Sequence, residues 1–304
     1  MSAPPPVGDV PIGQVATPDP VRLPDPARLF AARAQRLDAL SEDHPMVEFL
    51  RFLARLSRAQ DEARAVLPPA SAPEPARVAQ AVEARMPPLA ADGLARDASW
   101  RTVLLAVLDG IDADDLPAPT RDTIAALRAA APAALEAAAD DFLRGTVAPG
   151  RAAQTVFVAA TLQVWFAHRV AALDPGALRI LPQEGLCPCC GSPPVAGLVM
   201  ADDRSPGSRY LHCGLCGASW NHIRVKCIAC GSTKGIAYQE VEGGSGAAKA
   251  ETCDECRSYS KIFYQKQDAL IVPFADDIAT LGLDIMVAEA GWSRHAPNPL
   301  VLAG

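Results

Sequence analysis

Apolar side chains recur every three or four residues through much of the first 175 positions, and this spacing predicts helices. Proline interrupts the pattern at Pro45 and again at Pro132, where a helix is expected to break or kink. The predicted helical segments are 28–67, 77–86, 100–108, 122–144 and 151–173.

The segment 151–173 is apolar on most of its faces, with Val156, Ala160 and Val164 among its regularly spaced residues. A helix that is apolar all round is normally buried, so this segment is predicted to be the central helix of a bundle. His168 lies within it and is interpreted as a hydrogen-bonded core or boundary histidine, not as a metal ligand.

After residue 175 the pattern changes to short apolar runs separated by turn residues, which is typical of β-hairpins. One hairpin is predicted over 197–213 and a second over 235–253, with an aromatic strand at 219–222. Helical spacing returns over 276–290, and the remaining tail is expected to be a loop.

These patterns predict an α+β fold with a helical N-terminal bundle, two small four-cysteine modules and a C-terminal helix. Eight prolines in residues 1–27 indicate a disordered or extended leader. The expected divisions are the leader 1–27, a helical domain 28–175, a first module 184–222, a second module 223–275, and a C-terminal helix with its tail 276–304.

The composition narrows the classes of function. The net charge is −7, which argues against general affinity for nucleic acids. No apolar run reaches the roughly 18–20 residues needed to span a bilayer, and no basic region followed by an apolar run suggests a signal peptide. We therefore expect a cytosolic protein, in which thiols stay reduced and available to metals.

All nine cysteines lie between Cys187 and Cys256, and eight of them form C-x-x-C pairs. The second half of this stretch repeats the first with an offset of 40 residues, and 22 residues separate the two pairs of each half. The pairs are Cys187/Cys190, Cys213/Cys216, Cys227/Cys230 and Cys253/Cys256.

Two C-x-x-C knuckles brought together make a tetrahedral four-thiolate site, so these eight cysteines are predicted to hold two metal ions, iron or zinc. Glycine follows three of the pairs, where a turn often needs a positive φ, whereas Arg257 follows the fourth. That last knuckle is therefore expected to differ in detail. Disulfides are disfavoured because C-x-x-C pairs make poor structural bridges.

The pairing of the knuckles stays open at this level. The matched 22-residue spacings favour sequential pairing, in which each hairpin closes its own site. A cross-brace, with the first knuckle joined to the third and the second to the fourth, is the alternative. His212 and His222 flank the second knuckle and are expected to be surface histidines, although hydrogen bonds from them would tune the site.

Several motifs in order resemble the FdhE family of formate dehydrogenase accessory proteins, over roughly residues 175–304. The motifs are Leu181–Ser192, His212–Gly217 with Trp220, Arg224–Lys234, Cys253–Cys256 with Tyr259 and Lys261, Asp276–Asp284, and Asn298–Pro299. Cys189 departs from the expected pattern, because it fills the variable position of the first knuckle. It is interpreted as a spare thiol, and the alternative is ligand exchange or a redox-sensitive position.

The resemblance implies a cytosolic accessory protein that binds the catalytic subunit of a molybdenum-containing formate dehydrogenase and is needed for its activity. It also implies a helical N-terminal domain and two rubredoxin-like modules, with iron as the type of metal. No catalytic constellation is visible, because the five histidines are scattered and no nucleophile motif occurs.

Two other functions use the same cysteines. A rubredoxin-type iron site would serve electron transfer or redox sensing, whereas zinc has no redox role. A zinc ribbon could bind nucleic acid, but the stretch from Cys187 to Cys256 carries six basic and seven acidic residues, with no basic stripe.

Overall fold

The protein is described by a computed structural model that covers residues 17–71, 73–112, 115–201 and 206–301. Most helices lie in the first part of the chain, as the periodicity predicts. They are α1 (Pro26–Ser41), α2 (Val47–Ala63), α3 (Pro75–Glu83), α4 (Ser99–Asp109), α5 (Ala118–Ala129), α6 (Pro132–Arg144), α7 (Ala152–Val170), α8 (Pro273–Ala279) and α9 (Leu281–Glu289).

Local sequence signals explain where these helices begin and end. The side chain of Asp25 accepts a hydrogen bond from the backbone of Ala27, and Pro26 opens α1. Pro132 splits the predicted segment 122–144 into α5 and α6, and it stands at the first position of the second helix. Gly145 ends α6 with a φ of 69°. Both expected proline breaks are therefore confirmed.

Helix α7 is the central helix of the bundle, as predicted. Every residue from Phe157 to Ala167 is buried. The helix packs against α1, α2, α4, α5 and α6. Its apolar faces therefore supply much of the core to which the surrounding helices attach.

The strands form one eight-stranded sheet with the order β1-β4-β3-β2-β7-β6-β5, and β8 pairs with β7. They are β1 (Val21–Arg22), β2 (Pro194–Val199), β3 (Arg209–Cys213), β4 (Ser219–His222), β5 (Ile236–Gln239), β6 (Ala248–Cys253), β7 (Ser258–Tyr264) and β8 (Ser293–Arg294). Both hairpins are present, although residues 202–205 of the first turn lie outside the described residues.

The two modules are joined edge to edge, which the hairpin pattern did not predict. Strand β2 of the first module runs parallel to β7 of the second, with Gly197 opposite Ile262. A buried ion pair between Arg209 and Glu251, at 2.9 Å, also connects the modules. Gly197 has no side chain and so leaves room for Arg209, whose Nε lies 3.1 Å from where a Cβ would stand.

The end of the leader 1–27, for which disorder or an extended chain was expected, is extended and ordered. Val21 is buried and lies opposite Trp220, so that β1 extends the sheet beyond β4. Tyr210 donates a hydrogen bond to the carbonyl of Asp19, at 2.9 Å. The unpaired backbone of an edge strand explains this ordering, because it accepts an added segment readily. Residues 1–16 lie outside the described residues.

The single helix expected over 276–290 is two helices, α8 and α9, which meet at Thr280. The buried side chain of Lys261 explains the break. Its Nζ donates to the carbonyls of Asp277 and Thr280, at 2.6 and 3.1 Å. These carbonyls therefore accept hydrogen bonds from a strand residue, at the point where the hydrogen bonds of one continuous helix would be expected. None of the described helices is long and apolar enough to cross a membrane.

Candidate metal centres

Eight cysteine sulfurs form two groups of four, and within each group all sulfurs lie within 4.8 Å of one another. The sequence left the pairing of knuckles open, and the structure has the sequential arrangement. Sulfurs of the two knuckles of a site approach each other at Cys187–Cys216 (3.6 Å), Cys190–Cys213 (3.5 Å), Cys227–Cys256 (3.7 Å) and Cys230–Cys253 (3.7 Å). All nine cysteines are free of disulfides.

The same turn builds the first knuckle of each site. The backbone N–H of Gly191 donates to the carbonyl of Cys187, at 2.8 Å, and Gly231 donates to Cys227, at 3.0 Å. Both glycines have a positive φ, 78° and 75°, which glycine adopts without steric cost. The 40-residue repeat in the sequence is thus a repeat of backbone geometry.

Arg257 takes the place of glycine in the fourth knuckle, yet its φ is also positive, at 54°. The expectation that this knuckle differs is therefore wrong for its backbone. What differs is the surroundings of the side chain, since the Arg257 guanidinium lies over the ring of Trp292, at 4.5 Å. It also donates to Asp254 and to the carbonyl of Gly291.

The sulfur geometry fits a tetrahedral metal ion. Zinc–sulfur bonds of about 2.3 Å place neighbouring sulfurs of a tetrahedron about 3.8 Å apart. The sulfur separations across the knuckles, 3.5 to 3.7 Å, agree with this value and exceed the length of a disulfide bond. Four thiolates suit zinc and iron equally, so the donor set does not distinguish between them.

Burial disfavours the thiolate form of several of these cysteines unless a cation joins them. Desolvation raises the pKa of Cys187 and of Cys216 well above the usual range of a thiol. It also raises the pKa of Cys227, to about 12. A metal ion at the centre of each group would offset this cost, because it binds the deprotonated form.

A buried polar network connects the helices to the first site. Gln163 of α7 donates from its Nε2 to the carbonyl of Gly214, in the second knuckle, at 2.7 Å. Its Oε1 accepts from Arg33 of α1, at 2.9 Å, and from Gln60 of α2, at 3.0 Å. Burial lowers the pKa of Arg33 to about 9. Sequence reasoning missed this network, because its members lie up to 181 positions apart in the chain.

The histidines lie outside both sulfur groups. His222 is buried, so the expectation of a surface histidine is wrong for it. Burial, together with the charge of Arg209, lowers its pKa to about 4. Burial and the charge of Arg33 lower the pKa of His212 to about 4 as well. The Nδ1 atom of His212 lies 3.1 Å from the hydroxyl of Ser219. His168 hydrogen-bonds to the carbonyl of Pro68, at 2.8 Å, as its interpretation predicted.

Cys189 is buried beside the first site without belonging to its group of four. Interaction with the thiols of Cys187 and Cys216 lowers the pKa of Cys189 to about 6. Its carbonyl accepts a hydrogen bond from the backbone of Leu89, at 3.0 Å. The ninth thiol is thus part of the packing around the first site.

Comparison with known proteins covers nearly the whole described chain. Three family models match, described as "FdhE, N-terminal" over 18–182, "FdhE, central domain" over 186–224 and "FdhE, C-terminal domain" over 225–301. The boundary between the last two falls after His222, between the two four-cysteine sites.

Named relatives and a solved structure agree with these matches. The chain is 40% identical to "Protein FdhE homolog" of Stutzerimonas stutzeri (strain A1501), over 92% of this chain and 91% of the relative. It is 40% identical to the homologue from Pseudomonas aeruginosa, over 94% of each chain. The crystal structure of the FdhE protein from Pseudomonas aeruginosa superposes with a TM-score of 0.84, at 37% identity, over 93% of this chain and 99% of that one.

Proposed function

Because the chain belongs to the FdhE family, we propose that it is an accessory protein needed for the activity of a molybdenum-dependent formate dehydrogenase. In this proposal it binds the catalytic subunit of that enzyme in the cytoplasm. The observation that carries it is the pair of complete four-thiolate sites held on one continuous sheet, within a chain similar to FdhE proteins over nearly its full length.

Each site is proposed to hold one iron or zinc ion. The ligands are Cys187, Cys190, Cys213 and Cys216 in the first site, and Cys227, Cys230, Cys253 and Cys256 in the second. Iron would supply one-electron redox chemistry, whereas zinc would supply structure alone.

We propose no catalytic reaction for the chain itself. The contacts of His212 and His222 support this, because His212 contacts Ser219 beside a four-cysteine site. Both ring nitrogens of His222 face groups of the chain itself, the carbonyl of Ile223 and the carboxylate of Glu184 at 3.8 Å. The acidic net charge likewise supports an enzyme client and not a nucleic acid.

Anaerobic co-purification with the catalytic subunit of a formate dehydrogenase tests the proposal. The metal-loaded protein is expected to retain the subunit, and a strain that lacks the protein is expected to lose formate dehydrogenase activity. An Arg51→Ala variant, with its change on the exposed side of α2, serves as a control. It is expected to retain the catalytic subunit and to restore formate dehydrogenase activity as the unchanged chain does. Retention of full activity in the deletion strain would contradict the proposal.

A second candidate function is electron transfer or redox sensing. The exposure of Cys230 and Cys256 favours it, because an electron-transfer site must lie near the surface. Metal analysis and visible absorption of protein purified without oxygen distinguish the two functions. A protein that contains only zinc would exclude the redox function and leave the accessory function intact.

A further inference from the structure

The two candidate metal sites have the same ligands and nearly the same sulfur geometry, but they differ in exposure. All four cysteines of the first site are at most 1% exposed. In the second site Cys230 and Cys256 are exposed, whereas Cys227 and Cys253 are buried. One site is therefore enclosed, and the other presents two of its four sulfurs at the surface.

The helical region encloses the first site from several directions. Leu89 and Ala91 donate backbone hydrogen bonds to the carbonyls of Cys189 and Cys190, at 3.0 and 2.8 Å. The side chain of Leu29 packs so closely on the second knuckle that a Cβ at Gly217 would lie 2.7 Å from it. An external ligand could reach these sulfurs only after the helices move away.

The second site lacks such a cover on one side. Gly231 corresponds to Gly191 of the first site, yet the nearest atom to a Cβ built at Gly231 belongs to Lys226, at 3.9 Å. A cavity of about 430 Å³ adjoins this knuckle. Its lining includes Gln183, Glu184, His222, Lys226, Cys227 and Cys230.

We propose that the second site exchanges its metal ion with a thiol-bearing partner, while the first site keeps its ion as a permanent part of the core. This inference rests on the proposed binding of two metal ions. In the exchange, each incoming thiol loses a proton as its sulfur bonds to the metal. Each displaced cysteine, beginning with Cys230 or Cys256, regains a proton, and the oxidation state of the metal does not change.

The difference in rate follows from how ligands substitute at a tetrahedral ion. An incoming sulfur must approach to about 2.3 Å while one cysteine moves away. At the second site an exposed sulfur allows both movements without unfolding. At the first site they require a local opening, and an opening of about 3 kcal/mol would slow exchange roughly a hundredfold.

Zinc transfer to a synthetic four-cysteine peptide, followed by native mass spectrometry without oxygen, tests the inference. The full-length protein loaded with two zinc ions is expected to lose one ion at a rate that rises with peptide concentration. The second ion should leave at least about a hundredfold more slowly. A species with one ion should therefore accumulate, and simultaneous loss of both ions would overturn the inference.

Two cysteines at equivalent positions of the repeat identify the fast site. Cys230→Ser should abolish the fast phase and leave one slowly released ion, whereas a fast phase that persists in this variant would overturn the inference. Cys190→Ser is the matched variant 40 residues earlier and should retain the fast phase. The unchanged protein provides a test that does not depend on the folding of either variant.

The unchanged protein is treated with iodoacetamide during zinc transfer, and the alkylated cysteines are identified by peptide mass spectrometry. Cys230 and Cys256 should be labelled as the fast ion leaves, and equal labelling of Cys187 and Cys216 would overturn the inference. A protein that binds no zinc would refute the metal sites themselves. Two ions released at equal rates would refute only the exchange.

Discussion

Arg257 holds a backbone conformation that glycine holds at the equivalent position of the other three knuckles. Its φ of 54° lies in the left-handed region, which costs a residue with a Cβ on the order of 1 kcal/mol. The contacts of its side chain with Trp292 and Asp254 offset this cost. The position thus combines a strained backbone with a side chain that anchors the end of α9.

Comparison of Arg257→Gly with Arg257→Ala separates these two effects. Both variants lose the side-chain contacts, but only glycine also relieves the backbone strain. We expect the glycine variant to be more stable than the alanine variant by roughly 1 kcal/mol, measured by urea unfolding at constant metal content. Equal stabilities would show that the knuckle is not strained.

A second prediction concerns Gln163, which hydrogen-bonds both to Arg33 and to the carbonyl of Gly214. In Gln163→Leu the buried carbonyl of Gly214 would lose this donor, and Arg33 would keep its longer contact with Gln60, at 3.3 Å. The free energy of unfolding is expected to fall by about 2–4 kcal/mol. Gln154→Leu, at a half-buried position of the same helix, is the control and should change it by less than about 0.5 kcal/mol. Similar losses in the two variants would contradict this role.

The lowered pKa of His222 predicts that the stability of the fold depends on pH. Its pKa is about 4 in the fold and about 6.5 in an unfolded chain, so the unfolded chain takes up the proton first. The stabilisation of the fold by neutral His222 is therefore complete above pH ~6.5. It is lost as the pH falls toward ~4, where the free energy of unfolding has decreased by at most about 3 kcal/mol.

The measurement compares His222→Gln with the unchanged protein, with metal content held constant, because thiolate ligands also take up protons in this range. The unchanged protein should lose more stability than the variant between pH 6.5 and pH 4. Parallel curves for the two proteins would contradict the prediction.

At the scale of elements, Lys261 determines how the C-terminal helices are arranged. This fully buried lysine of β7 pairs with Asp277 of α8 at 3.2 Å and with Asp284 of α9 at 2.5 Å. Arg294 contacts both carboxylates from β8. Two helices and two strands therefore meet at one buried cluster of charges.

Lys261→Met is expected to lower the free energy of unfolding by roughly 3 kcal/mol, because two carboxylates would lose a buried partner. Lys266→Met, at an exposed position just beyond the same strand, is the matched control and should have little effect. Urea unfolding followed by far-UV circular dichroism measures both variants. A loss no larger than that of the control would show that Arg294 alone holds the cluster.

The elements themselves were largely predictable from the sequence. Helical spacing and proline positions located α1 to α7, and alternation with turn residues located both hairpins. Strand β7 and the break at Thr280 were missed. Both depend on partners distant in the chain, since β7 pairs with β2 and β6, and the break follows the position of Lys261.

At the scale of the whole molecule, the first site lies within the main hydrophobic core together with α1 and α7. Of the four ligand cysteines of the second site, none belongs to that core. Loss of the first metal ion should therefore loosen the junction between helices and sheet, whereas loss of the second should affect mainly its own hairpin.

The equivalent variants Cys190→Ser and Cys230→Ser test this difference through stability. We expect Cys190→Ser to lower the thermal midpoint of the whole protein more, because a buried cysteine is lost from a site that hydrogen-bonds to α7 through Gly214 and to the loop before α4 through Ala91. Differential scanning calorimetry of each variant with excess zinc measures it. A larger loss in Cys230→Ser would contradict the assignment of the first site to the core.

The sequence by itself determined the two sets of four cysteines and their repeat, because two C-x-x-C turns can direct four sulfurs to one point. It also determined the helices and hairpins, since these depend on neighbours within a few residues. Only the tertiary structure decided that the modules share one sheet, that Arg209 pairs with Glu251 across them, and that one site is enclosed while its copy is exposed. These features arise from contacts between distant segments, and two nearly identical local patterns can pack in different surroundings.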